Sequence, residues 1–280
     1  MVCSGNSGTK KMKIGIVGPG RVGTALGEAF KRAGYEIVGI VSRDRGHATK
    51  CMRFTQCNYW SANPQSLARI SELIIIAVPD SKIGSIASRI APFISTDTIL
   101  VHTSGTLESS ILGAKHSLSM HPVASFAGDR LPEGTYFGIE SVSSGDIEIG
   151  KKLVRSIGGI PIVISARNKP LYHAALNFGA AYILALLNTG RKLLEISGVQ
   201  EPEKVILSLA SSTLKNAQKF GIKHSLTGPI ERKDTKVVKA ELKAIKEKSP
   251  ENLEIYKVLT KETQKLIEEQ RQRKNGVNSP

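Results

Sequence analysis

The residues that could do chemistry lie in a few short segments, and the first is Gly18-Pro19-Gly20-Arg21-Val22-Gly23, three glycines spaced G-x-G-x-x-G. Gly18 permits a tight turn, Gly20 lets a pyrophosphate approach the backbone with no Cβ in the way, and Gly23 lets a following helix pack close on a sheet. Unpaired N–H groups at the positive end of that helix would face the phosphates, with Pro19, Arg21 and Val22 lining the same turn. Twenty residues past Gly23 stands Arg43, with Ser42 where an NAD site usually places a carboxylate for the ribose 2′-hydroxyl. A cation there suits a 2′-phosphate, so NADP (as NADPH) is expected ahead of NAD. Asp44 is the counter-signal, and Arg45 is a second cation.

A dinucleotide of this kind delivers a hydride, and a carbonyl or imine that receives it needs a proton. Histidine titrates near neutrality and suits that task. His102, His121 and His173 are the candidates, with His173 first. Asn177 lies four residues beyond His173, on the same helical face. Each histidine also has a plain structural reading: His102 bonding its own loop, His121 shaping a turn before Pro122, His173 packing among alanines. Pro79 and Asp80 are expected beside the cofactor, and Ser104 beside cofactor or substrate, its hydroxyl and neighbouring N–H able to hold a carboxylate. Thr227, Gly228 and Arg232 are expected to close over substrate, while Asp234 reads equally as a helix N-cap. No G-x-S-x-G turn is present for a serine hydrolase, and the six histidines offer no metal-ligand spacing on a helix, so no metal is expected.

These segments need a sheet to bring them together. Ile14–Val17, Glu36–Val41, Leu73–Val78 and Thr98–Val101 read as buried strands, followed by 118–120, 136–139 and 160–164. Helical patterns lie between them at Ala25–Phe30, His47–Phe54, Pro64–Ile70, Ile83–Ile90 and Ile147–Ile157, with a short strand at Gln56–Tyr59. This alternation predicts an α/β fold, a doubly wound Rossmann-type mostly parallel sheet over residues 13–165. The glycine loop, Ser42–Arg45, Pro79-Asp80, His102–Gly105 and His121-Pro122 then all fall at the carboxyl edge of the strands, where ligands bind in such sheets. From Asn168 the period becomes helical. One helix about thirty residues long is predicted to Gly198, with others at Glu203–Phe220, Asp234–Lys248 and Pro250–Glu269. The second domain, 166–270, is thus all-helical, with a boundary near Ser165–Pro170. Residues 1–12 read as a flexible extension and 271–280 as a polar tail.

The chain has 280 residues, 40% of them hydrophobic, and a formal net charge of +15. The positive excess is spread over both halves and alternates with acids, as at Lys243, Lys246, Glu247 and Lys248. With 5% aromatic residues and no basic stripe, no nucleic-acid partner is expected; an anionic cofactor and substrate account for the charge equally well. No run of 18 uncharged apolar residues occurs, so no membrane span is expected. Three cysteines build no disulfide framework, which suits a reducing cytoplasm.

The segments GIVGPGRVG, LIIIAVPD, HTSG, SMHP, YHAALNFGAAYILALL and LTGPI, with Arg232 and Asp234, together resemble the Rossmann-like proteins that carry an uncharacterised helical C-terminal domain. These are distant relatives of ketopantoate reductase, pyrroline-5-carboxylate reductase and the deazaflavin-dependent NADP oxidoreductases. The resemblance spans about Lys13 to Leu266. It implies a C-terminal domain of the 6-phosphogluconate dehydrogenase C-terminal-like kind, NADP as cofactor, and a homodimer through that domain. By similarity with the wider β-hydroxyacid dehydrogenase group, His173 and Asn177 match a Lys and an Asn four residues apart on the same helix. The expected function is an NADP-dependent oxidoreductase acting on a small carbonyl or imine compound, with an oxo acid as one candidate. A 2-dehydropantoate 2-reductase-like enzyme and a non-catalytic NADP-binding sensor are the alternatives.

Overall fold

The computed structural model describes residues 12–126 and 128–276, with side chains as far as Glu269, so most of the extension and the end of the tail lie outside the described residues. The chain divides into two compact units, one reaching Phe178 and the other starting at Gly179.

The first unit is built on an eight-stranded sheet in the order β3-β2-β1-β4-β5-β6-β7-β8. Its strands are β1 (Lys13–Val17), β2 (Glu36–Val41), β3 (Trp60–Ser61), β4 (Leu73–Ile76), β5 (Ile99–His102), β6 (His116–Val123), β7 (Tyr136–Glu140) and β8 (Ile160–Val163). Every pairing is parallel except β6 with β7. The helices are α1 (Arg21–Arg32), α2 (Arg45–Thr55), α3 (Asp80–Ile90), α4 (Ser144–Ser156) and α5 (Lys169–Phe178). β4, Leu73-Ile74-Ile75-Ile76, shows why the sheet is covered on both faces. Side chains alternate along a strand, so Leu73 and Ile75 join one core with Leu26, Phe30 and Leu153, while Ile74 and Ile76 join another with Ile83, Ala87 and Ile90. All four are fully buried, which is what a continuous apolar run demands. The strand order reverses between β1 and β4, and Gly18 there lies against Ala77.

The second unit is helical: α6 (Ala181–Ile196), α7 (Pro202–Phe220), α8 (Thr235–Lys248) and α9 (Leu253–Gly276). Asp234 is the N-cap of α8, accepting from the Val237 N–H at 3.2 Å.

Four expectations change. The single long helix is two, interrupted at Gly179-Ala180, where a glycine meets a residue at φ −125°, ψ −95°. The compact boundary therefore falls after α5, one helix later than the change of sequence period. Pro64–Ile70 shortens to a 3-10 turn at Pro64–Leu67, capped by the Asn63 side chain, and α9 continues to Gly276 where a polar tail was expected. By length and composition, with mean hydropathy 1.3, Ala166–Ile196 is the one helical stretch among the described residues that could cross a membrane. Its first ten helical residues belong to the Rossmann unit, however, and carry a buried lysine, Lys169.

Candidate functional site

The glycine loop stands at the switch point between β1 and β4. Gly18 has φ +85°, and a Cβ there would lie 2.5 Å from the Ala77 carbonyl; one on Gly23 would lie 2.3 Å from the Gly18 carbonyl. Gly20 differs: a Cβ would meet nothing within 4 Å. The first two glycines are thus required by the protein's own packing, and Gly20 faces open space. Gly20 is also the N-cap of α1, with no side-chain cap and no acid in the first turn. The helix leaves its first N–H groups for an anion, and a dinucleotide pyrophosphate fits this cradle. Pro19 is buried, its carbonyl taking the Thr24 hydroxyl at 3.1 Å. Arg21 reaches the Phe126 carbonyl at 3.4 Å, and Val22 packs against the core.

At the end of β2, the Ser42 hydroxyl accepts the Asp44 N–H at 3.1 Å, and Asp44 in turn caps α2 by accepting the His47 N–H at 2.9 Å. That backbone bond lowers the Asp44 pKa below its ordinary value. The carboxylate serves its own helix. Arg45 lies over the Trp60 ring, 5.7 Å from its centroid. Arg43 is exposed and makes no hydrogen bond or ion pair among the described residues.

Beyond β4 and β5 a polar network forms. Asp80, in the first turn of α3, accepts the Ser104 hydroxyl at 2.6 Å. The same hydroxyl accepts the N–H groups of Thr106 and Leu107 at 3.1 and 3.0 Å. The Ser104 hydroxyl, expected beside cofactor or substrate, spends its donor and both acceptor positions on the turn, and the residue is 4% exposed. His102, the neighbouring candidate, lies beneath the same turn. It is fully buried, its Nδ1 accepting the Ser104 N–H at 3.1 Å, so its Nε2 carries the proton toward the Glu108 carbonyl at 3.2 Å. Burial and Lys169 hold its pKa down at about 4. It braces the turn, which was its plain structural reading.

What that turn presents is Gly105. A Cβ there would lie 2.5 Å from His173 Cδ2 and 3.0 Å from His121 Cε1 and Nε2. Two imidazoles thus stand over one bare backbone position, their ring centroids 5.9 Å apart. His121 Nδ1 pairs with the Tyr172 hydroxyl at 3.0 Å, and Tyr172 fits because Gly138 on β7 offers no side chain in its way. Burial raises the Tyr172 pKa to about 12, and burial with His173 and Lys169 lowers that of His121 to about 4. A tyrosine hydroxyl donating to Nδ1 leaves His121 Nε2 to carry the ring proton over Gly105. His173 and Asn177 are half-buried on α5.

Two members of this cluster were given no chemical role from sequence: Lys169, which reads there only as one helical turn before His173, and Tyr172. Lys169 is 2% exposed, and its ammonium donates to the Ser119 hydroxyl at 2.6 Å and the Ser104 carbonyl at 3.3 Å. Burial lowers its pKa, opposed by Glu140, Asp80 and Glu108. The available signal was its four-residue spacing from His173, the spacing already noted for His173 and Asn177.

Thr227, Gly228 and Arg232 lie in the second unit, in the loop before α8, with Thr227 and Arg232 exposed and Gly228 at φ +105°. They form a local turn in which the Arg232 N–H bonds the Gly228 carbonyl at 3.1 Å.

Residues 3–124 match the model of a Rossmann-like domain, and residues 135–263 match that of a domain of unknown function, DUF2520. No curated protein matches the sequence. Among solved structures, protein TM1727 of Thermotoga maritima is 27% identical, with a TM-score of 0.76 over 92% of this chain and 99% of its own. BF3122 of Bacteroides fragilis, an NADP oxidoreductase candidate by its description, is 21% identical, with a TM-score of 0.74 over 91% and 99%. Pyrroline carboxylate reductase of Plasmodium falciparum, solved with NADP bound, is 17% identical, with a TM-score of 0.59 over 92% and 99%. The last two likenesses establish the fold.

Proposed function

We propose, from the premise that this chain joins a Rossmann-like domain to a DUF2520 domain, that it is an NADP-dependent reductase of a small carbonyl or imine compound. The observation that carries the reading is the pair His121 and His173 over bare Gly105, at the carboxyl edge that also holds the glycine loop. The P. falciparum protein of the same fold holds NADP, in keeping with this cofactor class.

Bound NADPH supplies the hydride. The α1 N–H groups at Gly20 would hold the pyrophosphate, Pro19, Arg21 and Val22 shape that loop, and Arg43 would meet the 2′-phosphate. Asp80 with Pro79 fixes the Ser104–Gly105 turn, and the absence of a Cβ at Gly105 lets the His121 and His173 rings close on it side by side. As the carbonyl oxygen or imine nitrogen gains electrons, His173 gives it a proton, and His121, held neutral against Tyr172, donates a hydrogen bond from Nε2. Burial, with His173 and Lys169 nearby, keeps His121 uncharged near neutrality. Asn177, a turn beyond His173, is assigned to orienting the substrate. An oxo acid is the favoured substrate class, because the formal net charge of +15 suits an anion.

A second copy of this chain is the partner assigned to the helical unit. Leu184 and Leu209 are 65% and 63% exposed, and none of the apolar window in Ala166–Ile196 is buried. The buried free thiols Cys51 and Cys57 suit a reducing compartment.

NADPH consumption across a panel of oxo acids and cyclic imines tests the assignment. His173→Ala should lower kcat about 100-fold, the scale of lost general-acid catalysis, while the NADPH Kd stays unchanged. Unaltered turnover in that variant defeats the role of His173. Binding of NADPH with no turnover across the panel favours a sensor.

A further inference from the structure

The chain has one tryptophan, Trp60, and it lies on the short edge strand β3 beside the turn that reads the nucleotide ribose. Its indole Nε1 donates to the Ser42 carbonyl at 3.1 Å, and the Arg45 guanidinium sits 5.7 Å from its ring centroid. Both ends of the Ser42–Arg45 turn are thereby tied to one side chain. Between these ties the Ser42 hydroxyl takes the Asp44 N–H, and the Asp44 carboxylate is turned to the His47 N–H. Of the four residues, Arg43 alone has no side-chain hydrogen bond, ion pair or ring contact among the described residues.

We infer that Trp60 is a positioning residue that sets cofactor choice: its grip on Ser42 and Arg45 keeps Asp44 turned into α2 and leaves Arg43 to meet a 2′-phosphate. The inference rests on the dinucleotide reading above. Its physical content is a difference between two ligands. A freed Asp44 would accept a hydrogen bond from the 2′-hydroxyl of NADH and repel the 2′-phosphate of NADPH, so loosening the turn pushes the two affinities in opposite directions. A merely structural tryptophan would weaken both alike.

Trp60→Phe keeps an aromatic ring under Arg45 and removes the N–H. The Kd values of NADPH and NADH, read from nicotinamide fluorescence, should favour NADPH in the wild-type chain. In the variant that preference should shrink about fivefold, or ~1 kcal/mol, the net worth of one hydrogen bond. An unchanged ratio, with both nucleotides still bound, overturns the role of Trp60 alone. A wild-type chain that binds neither nucleotide overturns the dinucleotide reading and this inference with it. Trp60 emission in the wild-type chain gives a second readout that needs no variant. It should respond to 2′-AMP at lower concentration than to 5′-AMP, and equal responses overturn the inference.

Discussion

At the scale of single residues, the site is a set of side chains whose polar atoms are already assigned. His102 shows what that costs. Its pKa is about 4 in the fold against an ordinary value of 6.5, so between those values the unfolded chain binds more protons than the native one. Stability must then rise with pH across that window and fall as pH drops through it. His121, also lowered to about 4, acts in the same direction. Thermal unfolding from pH 4 to 7 should show the loss, and His102→Gln should flatten it by on the order of 2 kcal/mol. Lys169 is a harsher case. Lys169→Met keeps most of the volume but strips the Ser119 hydroxyl and the Ser104 carbonyl of their donor. We expect about 2 kcal/mol less stability by denaturant titration, with turnover reduced because the Gly105 turn loses its tie to α5. An unchanged midpoint would show that the buried ammonium does not hold the turn.

At the scale of elements, the glycine loop separates packing from binding. Gly18→Ala adds a Cβ 2.5 Å from a carbonyl at a φ of +85°, so it should lower the melting temperature sharply, the strain costing on the order of 2 kcal/mol. Gly20→Ala adds one into open space and should melt like the parent, yet bind NADPH at least about tenfold more weakly, as ~1.4 kcal/mol of lost phosphate approach would give. If both variants melt normally and bind normally, the cradle is not the phosphate site. The strands and this loop were legible in the sequence because apolar runs and glycine spacing are local signals. The break at Gly179-Ala180 was not, since Leu171, Phe178, Tyr182 and Leu186 keep helical steps straight through it. Nor did the sequence tell that Ser104 spends its hydroxyl on Asp80, or that Gly138 clears a place for Tyr172. Such facts depend on which strands become neighbours, and β7 approaches β6 antiparallel in an otherwise parallel run.

At the scale of the whole molecule, the two units differ in how much they bury. The Rossmann unit closes a core on each face of its sheet. The helical unit buries few apolar side chains among the described residues, Ile245 and Ile267 being two of them, while Leu184, Leu207, Leu209 and Leu214 stay exposed. Apolar surface of this extent calls for a covering partner. Sedimentation should therefore find a dimer, and Leu184→Lys with Leu209→Lys should shift it to monomer at micromolar concentration. A wild-type chain that sediments as a monomer would defeat the assignment.

The grip of Lys169 and Tyr172 on the sheet fixes α5 to the nucleotide-binding unit, although its sequence already reads as part of the helical half. The seam where composition changes and the seam where the chain is mechanically divided are therefore different places, and His173 lies between them. His121, His173 and Gly105 all precede that break, so a substitution downstream of Ala180 changes none of the residues that make the imidazole pair. The paired rings and the glycine beneath them are thus contained whole in the first compact unit.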